Sequence, residues 1–91
     1  MTVIATMKER LARLQPHSLD IIDDSALHSG HAGAASGGGH FRMSIVSPLF
    51  SGLPTIARHR MVYDALGVMM KHEIHAMSIT AKTPSTTTAP M

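Results

Sequence analysis

Residues 58–84 read RHRMVYDALGVMMKHEIHAMSITAKTP, and their pattern predicts a long helix followed directly by a strand. From Val62 to Ile74 apolar residues recur at spacings of three and four, which gives one helix face that can cover a sheet. The sequence then alternates with period two and ends before Pro84, because proline has no backbone N–H for the sheet. The residues expected on one strand face are His75, Met77, Ile79 and Ala81. This arrangement leaves His75 at the rim of the sheet, where a partner can reach it.

The chain is short and lacks cysteine, with 91 residues and a formal net charge of +2 when histidines are counted as neutral. A chain of this length predicts one small domain, expected over residues 1–84, without a deep private active-site cavity. Without cysteine the chain has no disulfide and no thiolate metal ligand of its own. Its mild, scattered positive charge implies only weak non-specific affinity for nucleic acid.

The N-terminal residues predict an amphipathic helix that Thr2 caps and that ends by Gln15, because the residue before Pro16 disfavours helical geometry. A transit peptide is the alternative interpretation, and the acidic residue Glu9 favours the ordinary helix. The chain lacks both an apolar run of membrane-spanning length and the apolar segment of a signal peptide. We therefore expect a cytoplasmic protein with no membrane partner.

Two strands are predicted before the long helix, over residues 19–25 and 40–47. The side chains of the second strand that are expected to face the helices are Phe41, Met43 and Ile45. Between the two strands, residues 26–39 contain five glycines and carry His28 and His31. Small residues cannot pack a core on their own, so this segment is expected to be a flexible surface loop.

Turn and cap residues complete the predicted order of elements. Ser47 and Pro48 predict a short helix that Gly52 ends, and Pro54 begins the long helix in the same way. The resulting order is helix, strand, strand, helix, helix, strand. Residues 85–91 form a polar Thr/Pro tail that is expected to be disordered.

Seven histidines are the conspicuous excess in the composition. A single histidine is more often a surface residue than a ligand, but His28, His31, His40 and His75 lie in one loop and at two strand starts. Their spacing matches no zinc template, and structural zinc sites usually have four ligands that commonly include thiolates. Imidazoles from this chain would therefore coordinate a metal only in part, and another molecule would supply the remaining ligands.

Several motifs along the chain resemble those of the BolA family. They are HSGH at residues 28–31, HFR at 40–42, RHRMVY at 58–63, IHA at 74–76 and the closing Thr83-Pro84. The resemblance covers residues 11–84, and the combination of RHR and IHA at this separation is specific. It implies an α+β, class II KH-like fold with the order α-β-β-α-α-β, in which a three-stranded sheet packs against helices.

The resemblance also implies a partnership with monothiol glutaredoxins, in which the two proteins share a two-iron two-sulfur (2Fe-2S) cluster. The glutaredoxin cysteine and a glutathione thiol hold the cluster from one side, and imidazoles of the BolA-like chain approach from the other. His75 matches the family's C-terminal ligand. The loop ligand matches His31 best, with His28 as its rival. The chain alone is implied to hold no cofactor.

Imidazole ligands have two consequences for such a cluster. Replacing thiolate by neutral imidazole removes negative charge from the cluster and generally raises its reduction potential. Protonation of the rings should weaken binding, because a protonated imidazole has no lone pair to donate. The implied role is a cluster-linked adaptor in iron–sulfur or iron homeostasis or in stress regulation.

DNA binding is the alternative function, because members of this family are regarded as transcriptional regulators. Residues 48–71 are expected to form a helix-turn-helix-like unit, with Arg58 and Arg60 placed to meet phosphates or base edges of duplex DNA. KH-type folds usually carry a Gly-x-x-Gly clamp for the nucleic-acid backbone. The corresponding turn at residues 52–55 reads GLPT and lacks the second glycine, which counts against RNA binding of that kind.

No arrangement of residues in this sequence predicts catalysis. Asp23 and Asp24 are adjacent, but with no second group of acids nearby they are expected to be a solvated strand end rather than a paired-carboxylate site. The spacing signals of Ser/His/Asp or Cys/His nucleophilic sites are missing, and the glycine-rich loop precedes no helix. The chain is therefore not expected to be an enzyme.

Overall fold

The computed structural model describes residues 2–24 and 39–84. Its helices and strands are α1 (Val3–Leu11), β1 (Ser18–Asp23), β2 (Gly39–Val46), α2 (Thr55–Leu66) and β3 (Ile74–Lys82). Short 3-10 segments lie at Ala12–Leu14, Pro48–Phe50 and Gly67–Lys71. The predicted glycine-rich loop, with His28 and His31, and the predicted tail lie in or next to residues 25–38 and 85–91, which are outside the described ranges.

The three strands form one mixed sheet in the order β1-β2-β3. β1 runs antiparallel to β2, whereas β3 runs parallel to β2. A parallel neighbour requires a crossover connection, and α2 supplies it by packing over one face of the sheet. This arrangement confirms the predicted α+β fold, with a three-stranded sheet packed against helices.

A single hydrophobic core lies between the helices and the sheet. The side chains Phe41, Met43 and Ile45 of β2 are all buried, as the alternating pattern predicted. They meet residues from α1, from α2 and from the short helical turns. These residues are Met7, Leu11, Leu14, Phe50, Val62, Ala65, Leu66 and Met69.

Both predicted N-terminal signals are confirmed. The side chain of Thr2 accepts a hydrogen bond from the backbone N–H of Ala5 at 3.1 Å, which caps α1. The helical region ends at Gln15, which adopts φ 52° directly before Pro16. Within the described ranges, no helix combines the length and the apolar character that crossing a membrane requires.

The predicted long helix is interrupted, which the apolar spacing did not indicate. α2 ends at Leu66 because Gly67 adopts φ 58°, a left-handed conformation that glycine tolerates best. The chain continues as a 3-10 segment, and Ile74 belongs to β3 rather than to the helix. Met69 and Ile74 are nevertheless buried, whereas Val68 is 60% exposed. The spacing of three and four therefore identified Met69 and Ile74 correctly as buried, but the prediction that Val68 belongs to the same apolar stripe is wrong and the pattern continued past the end of the helix.

Ser47 connects three parts of the structure at the end of β2. Its side chain is fully buried, and its Oγ donates a hydrogen bond to the carbonyl of Leu14 at 2.5 Å. The same oxygen accepts a hydrogen bond from the N–H of Leu49 at 3.1 Å, which caps the turn Pro48–Phe50 as predicted. The predicted short helix is this 3-10 turn, which ends at Phe50 with Ser51 as its C-cap, and the predicted stop residue Gly52 follows with φ 78°.

Replacing Ser47 by alanine should destabilise the fold. We expect Ser47→Ala to lower the free energy of unfolding by about 1–3 kcal/mol, because the variant leaves the Leu14 carbonyl without its donor in the interior. Urea denaturation measures the effect. Ser44→Ala is the matched control, since Ser44 lies on β2 three residues before Ser47 and is exposed. Equal unfolding midpoints for the two variants would contradict the role of Ser47.

Candidate functional site

His75 occupies an irregularity at the start of β3. Across the pair of parallel strands Gly39 is opposite Ile74 and His40 is opposite Ala76, so His75 is an extra residue in the register. Ile74 is buried in the core, and His75 is exposed. The sequence predicted that His75 shares a strand face with Met77 and lies at the rim of the sheet, and its exposure agrees with the rim position. The extra residue places Ile74, not His75, in the core.

The ring of His40 lies against the ring of His75. Their centroids are 5.1 Å apart, and their planes are inclined by 47°. His40 is half-buried, with its Nε2 atom buried, whereas His75 is exposed. The starts of two neighbouring parallel strands thus bring together two of the four histidines that the sequence analysis singled out. We call this pair of residues the histidine corner.

The candidate loop ligands His28 and His31 lie outside the described residues, but the two ends of their segment are placed. The backbone N–H of Asp24 donates to the carbonyl of His40 at 2.7 Å. On the other side, the N–H of Gly39 donates to the carbonyl of Glu73 at 3.0 Å. The segment that carries both histidines therefore begins and ends beside the histidine corner.

An ion pair lies next to His40. Arg42 Nε is 2.5 Å from Asp24 Oδ2, and Arg42 Nη2 is 3.3 Å from Asp24 Oδ1, so the contact is bidentate. The Asp24 side chain is only 14% exposed. The prediction that Asp24 belongs to a solvated strand end is therefore wrong, because the register of β1 on β2 places it beside Arg42. Together with His40, Ala76 and Ser78, the ion pair lines a pocket of about 350 Å³.

The histidine corner is incomplete as a metal site. Among residues 2–24 and 39–84 there is no group of three or more His, Cys, Asp or Glu side chains that is placed to hold a metal ion. This part of the chain thus offers two imidazoles side by side. A tightly held metal or cluster would need further ligands from residues 25–38 or from a second molecule.

Arg58 and Arg60, the candidate DNA contacts, have different environments. Arg58 is half-buried, and its Nε donates to the carbonyl of Leu53 at 2.8 Å. Its Nη1 donates to the carbonyl of Ala81 at 3.0 Å, which ties the first turns of α2 to the end of β3. Arg60 is exposed. The guanidinium of Arg58 thus forms structural hydrogen bonds between α2 and its surroundings. Arg60, in contrast, faces solvent.

The predicted helix-turn-helix-like unit is reduced in the structure, because its first helix is the short 3-10 turn Pro48–Phe50. The exposed side of α2 lines a shallow pocket of about 570 Å³. The lining includes the polar side chains of Arg60 and His59. It also includes Ile56, which is 70% exposed, and Tyr63, which is 41% exposed. This surface is thus partly apolar and carries one accessible arginine.

Comparison with known proteins assigns a family. The family model described as BolA-like protein matches residues 11–86. Protein BOLA1, chloroplastic, from Arabidopsis thaliana is 42% identical over 83 residues, which cover 87% of this chain and 52% of that protein. The DNA-binding transcriptional regulator BolA from Vibrio cholerae is 38% identical over 65 residues, which cover 71% of this chain and 58% of that protein. The chain therefore spans little more than half of the length of these curated relatives.

A solved structure supports the same assignment. The structure of BolA1 from Arabidopsis thaliana superposes with a TM-score of 0.82 at 38% identity, and the match covers 97% of this chain and 98% of that one. The matching family model does not describe a family of enzymes. That this chain has no enzymatic activity stays a prediction. The histidine motif of β3, the arginine motif of α2 and the fold that connects them agree with this match, and the chain belongs to the BolA family.

Proposed function

We propose that this chain is an adaptor that pairs with a monothiol glutaredoxin and co-ligates a shared 2Fe-2S cluster through histidines. The observation that carries the proposal is the exposed His75 at the start of β3, beside both ends of the segment that carries the loop histidines. His75 is the proposed ligand from β3. His31 is the proposed loop ligand, with His28 as its rival. The proposed setting is iron–sulfur or iron homeostasis, or stress regulation, in the cytoplasm.

The residues of this chain fit a cluster that is shared with a partner protein better than a cluster that this chain binds alone. Neutral imidazole is an established ligand of iron, and Rieske centres show that two imidazoles can replace two thiolates on one iron of a 2Fe-2S cluster. The chain has no cysteine, so a sulfur-containing partner must supply the thiolates, here the glutaredoxin cysteine and glutathione. When bound, the cluster supplies one-electron redox chemistry, at a potential that imidazole ligands raise.

The contribution of this chain is to hold His75 and both ends of the loop segment at one corner of the sheet. The hydrogen bonds of Asp24 and Gly39 anchor both ends of the segment that carries His28 and His31 beside His75. The ion pair between Asp24 and Arg42 reinforces the first of these anchors. Both ends of the segment that carries the proposed loop ligand therefore lie beside the proposed ligand His75.

Titration of the chain into cluster-loaded monothiol glutaredoxin, followed by visible circular dichroism, tests the proposal. We expect the cluster bands to change when the chain is added, because imidazole replaces another ligand of the iron. An unchanged spectrum at saturating chain concentration would refute the shared cluster.

The loop ligand can be assigned by the same titration. We expect His31→Ala to reduce the spectral change more strongly than His28→Ala, because His31 matches the family's loop position. The two variants are matched controls for each other, since both remove one imidazole from the same segment. A larger loss from His28→Ala would reverse the assignment.

We propose duplex DNA binding as a second function, in which this chain acts as a transcriptional regulator. Two observations favour it. Arg60 is exposed on α2, and a relative from Vibrio cholerae bears the name DNA-binding transcriptional regulator. Since Arg58 is engaged with two carbonyls, the proposal for this chain rests on Arg60.

The salt dependence of DNA binding isolates the contribution of Arg60. We expect Arg60→Ala to reduce the slope of log K against log salt by about 1, because one phosphate contact is lost. Lys8→Ala on α1 is the charge-matched control, since Lys8 is exposed and lies outside the proposed surface. Identical slopes for wild type and Arg60→Ala would exclude this arginine from DNA binding.

A further inference from the structure

We infer that His40 and His75 together bind a single divalent transition-metal ion of the zinc or copper class when no partner covers the histidine corner. This site requires neither glutaredoxin nor an iron–sulfur cluster. It differs from the proposed cluster site in pairing His75 with His40 of β2, whereas the cluster proposal pairs it with a loop histidine.

The separation of the two rings fits a shared ion. With a metal–nitrogen distance of about 2.0 Å and a roughly tetrahedral angle at the metal, the centroids of two imidazoles on one ion lie about 5 Å apart. The centroids of His40 and His75 are 5.1 Å apart. Their planes are inclined by 47°, so the rings do not stack in parallel. The centroid separation of the pair is therefore the one that a shared ion requires.

The backbone holds the two rings in this relation. His40 lies on β2, the central strand, and its carbonyl accepts the N–H of Asp24. His75 is the extra residue at the start of the neighbouring strand, and its exposure gives an ion access from solvent. In a neutral imidazole either ring nitrogen can carry the lone pair that binds a metal, depending on the tautomer. Burial of Nε2 in His40 therefore leaves Nδ1 as a second candidate for the metal-binding atom. The site thus has one sheltered ligand and one accessible ligand.

The local charge tolerates a cation. Arg42 follows His40 by two residues on the same strand, and its positive charge would repel a metal ion. The carboxylate of Asp24 forms a bidentate ion pair with that guanidinium, and both residues line the same pocket as His40. The nearby positive charge is therefore largely neutralised.

Two imidazoles make an exchangeable site rather than a structural one. The remaining coordination positions fall to water, whereas structural zinc sites have four protein ligands. A partner that brings thiolates to this corner would take the ion from the two imidazoles onto its own sulfur atoms, because thiolates bind zinc more strongly than imidazoles do. The free chain would then carry the metal ion at the histidine corner, and the chain in complex with such a partner would not.

Isothermal titration calorimetry of the isolated chain with Zn²⁺ tests the inference. We expect His40→Ala and His75→Ala each to weaken Zn²⁺ binding by at least about tenfold, since losing even an outer-shell partner costs about 10- to 100-fold in affinity. His72→Ala is the matched control, because His72 is exposed and lies three residues before His75. The double variant His28→Ala/His31→Ala should bind as wild type does.

Two outcomes would overturn the inference. One is unchanged affinity in His40→Ala. The other is a loss in His72→Ala or in the loop double variant as large as that in His75→Ala, which would show adventitious binding by scattered histidines. Electron paramagnetic resonance of bound Cu²⁺ gives a second readout on wild-type chain that does not depend on how the variants fold. Nitrogen hyperfine structure from two imidazoles is expected, and a signal from one alone would contradict a shared ion.

The metal titration contains no glutaredoxin, and this separates the two proposals. If Zn²⁺ binding fails while the cluster spectrum still responds to the chain, the shared-cluster proposal stands without the His40–His75 site. If Zn²⁺ binding depends on both histidines but glutaredoxin produces no spectral change, the metal site stands alone.

Discussion

His75→Ala should abolish the visible circular dichroism change that the wild-type chain produces in cluster-loaded monothiol glutaredoxin. The substitution removes the exposed imidazole of β3 and leaves the chain with loop histidines alone for the iron. Loss of a direct ligand should weaken the complex by at least about 10- to 100-fold, the range found for losing an outer-shell partner. At chain concentrations that saturate the wild-type response, we therefore expect almost no change in the cluster bands.

His72→Ala is the control for this experiment. His72 is exposed and lies two residues before the start of β3, so the variant also removes a surface imidazole and preserves the ligand candidates. Because His75 is exposed as well, neither substitution should disturb the core, and far-ultraviolet circular dichroism can verify that both variants are folded. If His75→Ala gives the same spectral change as wild type, His75 is not a cluster ligand.

Arg58→Ala should lower the free energy of unfolding by about 2–3 kcal/mol, whereas Arg60→Ala should change it by no more than about 0.5 kcal/mol. Arg58 donates to the carbonyls of Leu53 and Ala81, and hydrogen bonds from charged donors contribute about 1.5–3 kcal/mol each. The combined value is set below the sum of the two because Arg58 is only half-buried. The free energy of unfolding of native proteins is about 5–15 kcal/mol, so the expected loss is a large share of the total stability.

Urea denaturation of the two variants measures this difference, and Arg58→Lys adds a second comparison. Lysine should not restore stability, because its single ammonium group cannot reproduce the fork of guanidinium donors that reaches two carbonyls. Equal unfolding midpoints for Arg58→Ala and Arg60→Ala would show that the two hydrogen bonds contribute little. The expected instability also means that DNA binding is better tested with Arg60→Ala than with any variant of Arg58.

Much of the architecture was predictable because its signals are local. Alternation over eight residues was sufficient to assign the buried side chains Phe41, Met43 and Ile45, since neighbouring residues of a strand point to opposite faces. Thr2 and Ser47 were recognisable as caps, because a cap bonds to an N–H only two or three residues away. Such signals need no knowledge of distant parts of the chain.

The end of α2 shows how two local signals can conflict. Gly67 is a typical residue for the C-terminal end of a helix, but the apolar spacing continued to Ile74 and suggested a longer helix. Gly67 proved to be the end of α2, because its positive φ directs the chain into the 3-10 segment. The buried residues beyond it belong to different elements that meet the same core.

Local patterns were enough for most of the elements and for the buried face of β2, because these depend on residues close together in the chain, whereas the family was identified from the resemblance of several separate motifs. Three features depend instead on contacts between distant parts of the chain. They are the contact of His40 with His75, the ion pair of Asp24 with Arg42 and the hydrogen bond from Arg58 to the carbonyl of Ala81. The first two require the register of β3 and β1 on β2, including the extra residue at His75, and the third requires α2 to pack against β3. Periodicity contains no information about register between separate strands, since shifting a strand by two residues keeps the same faces buried.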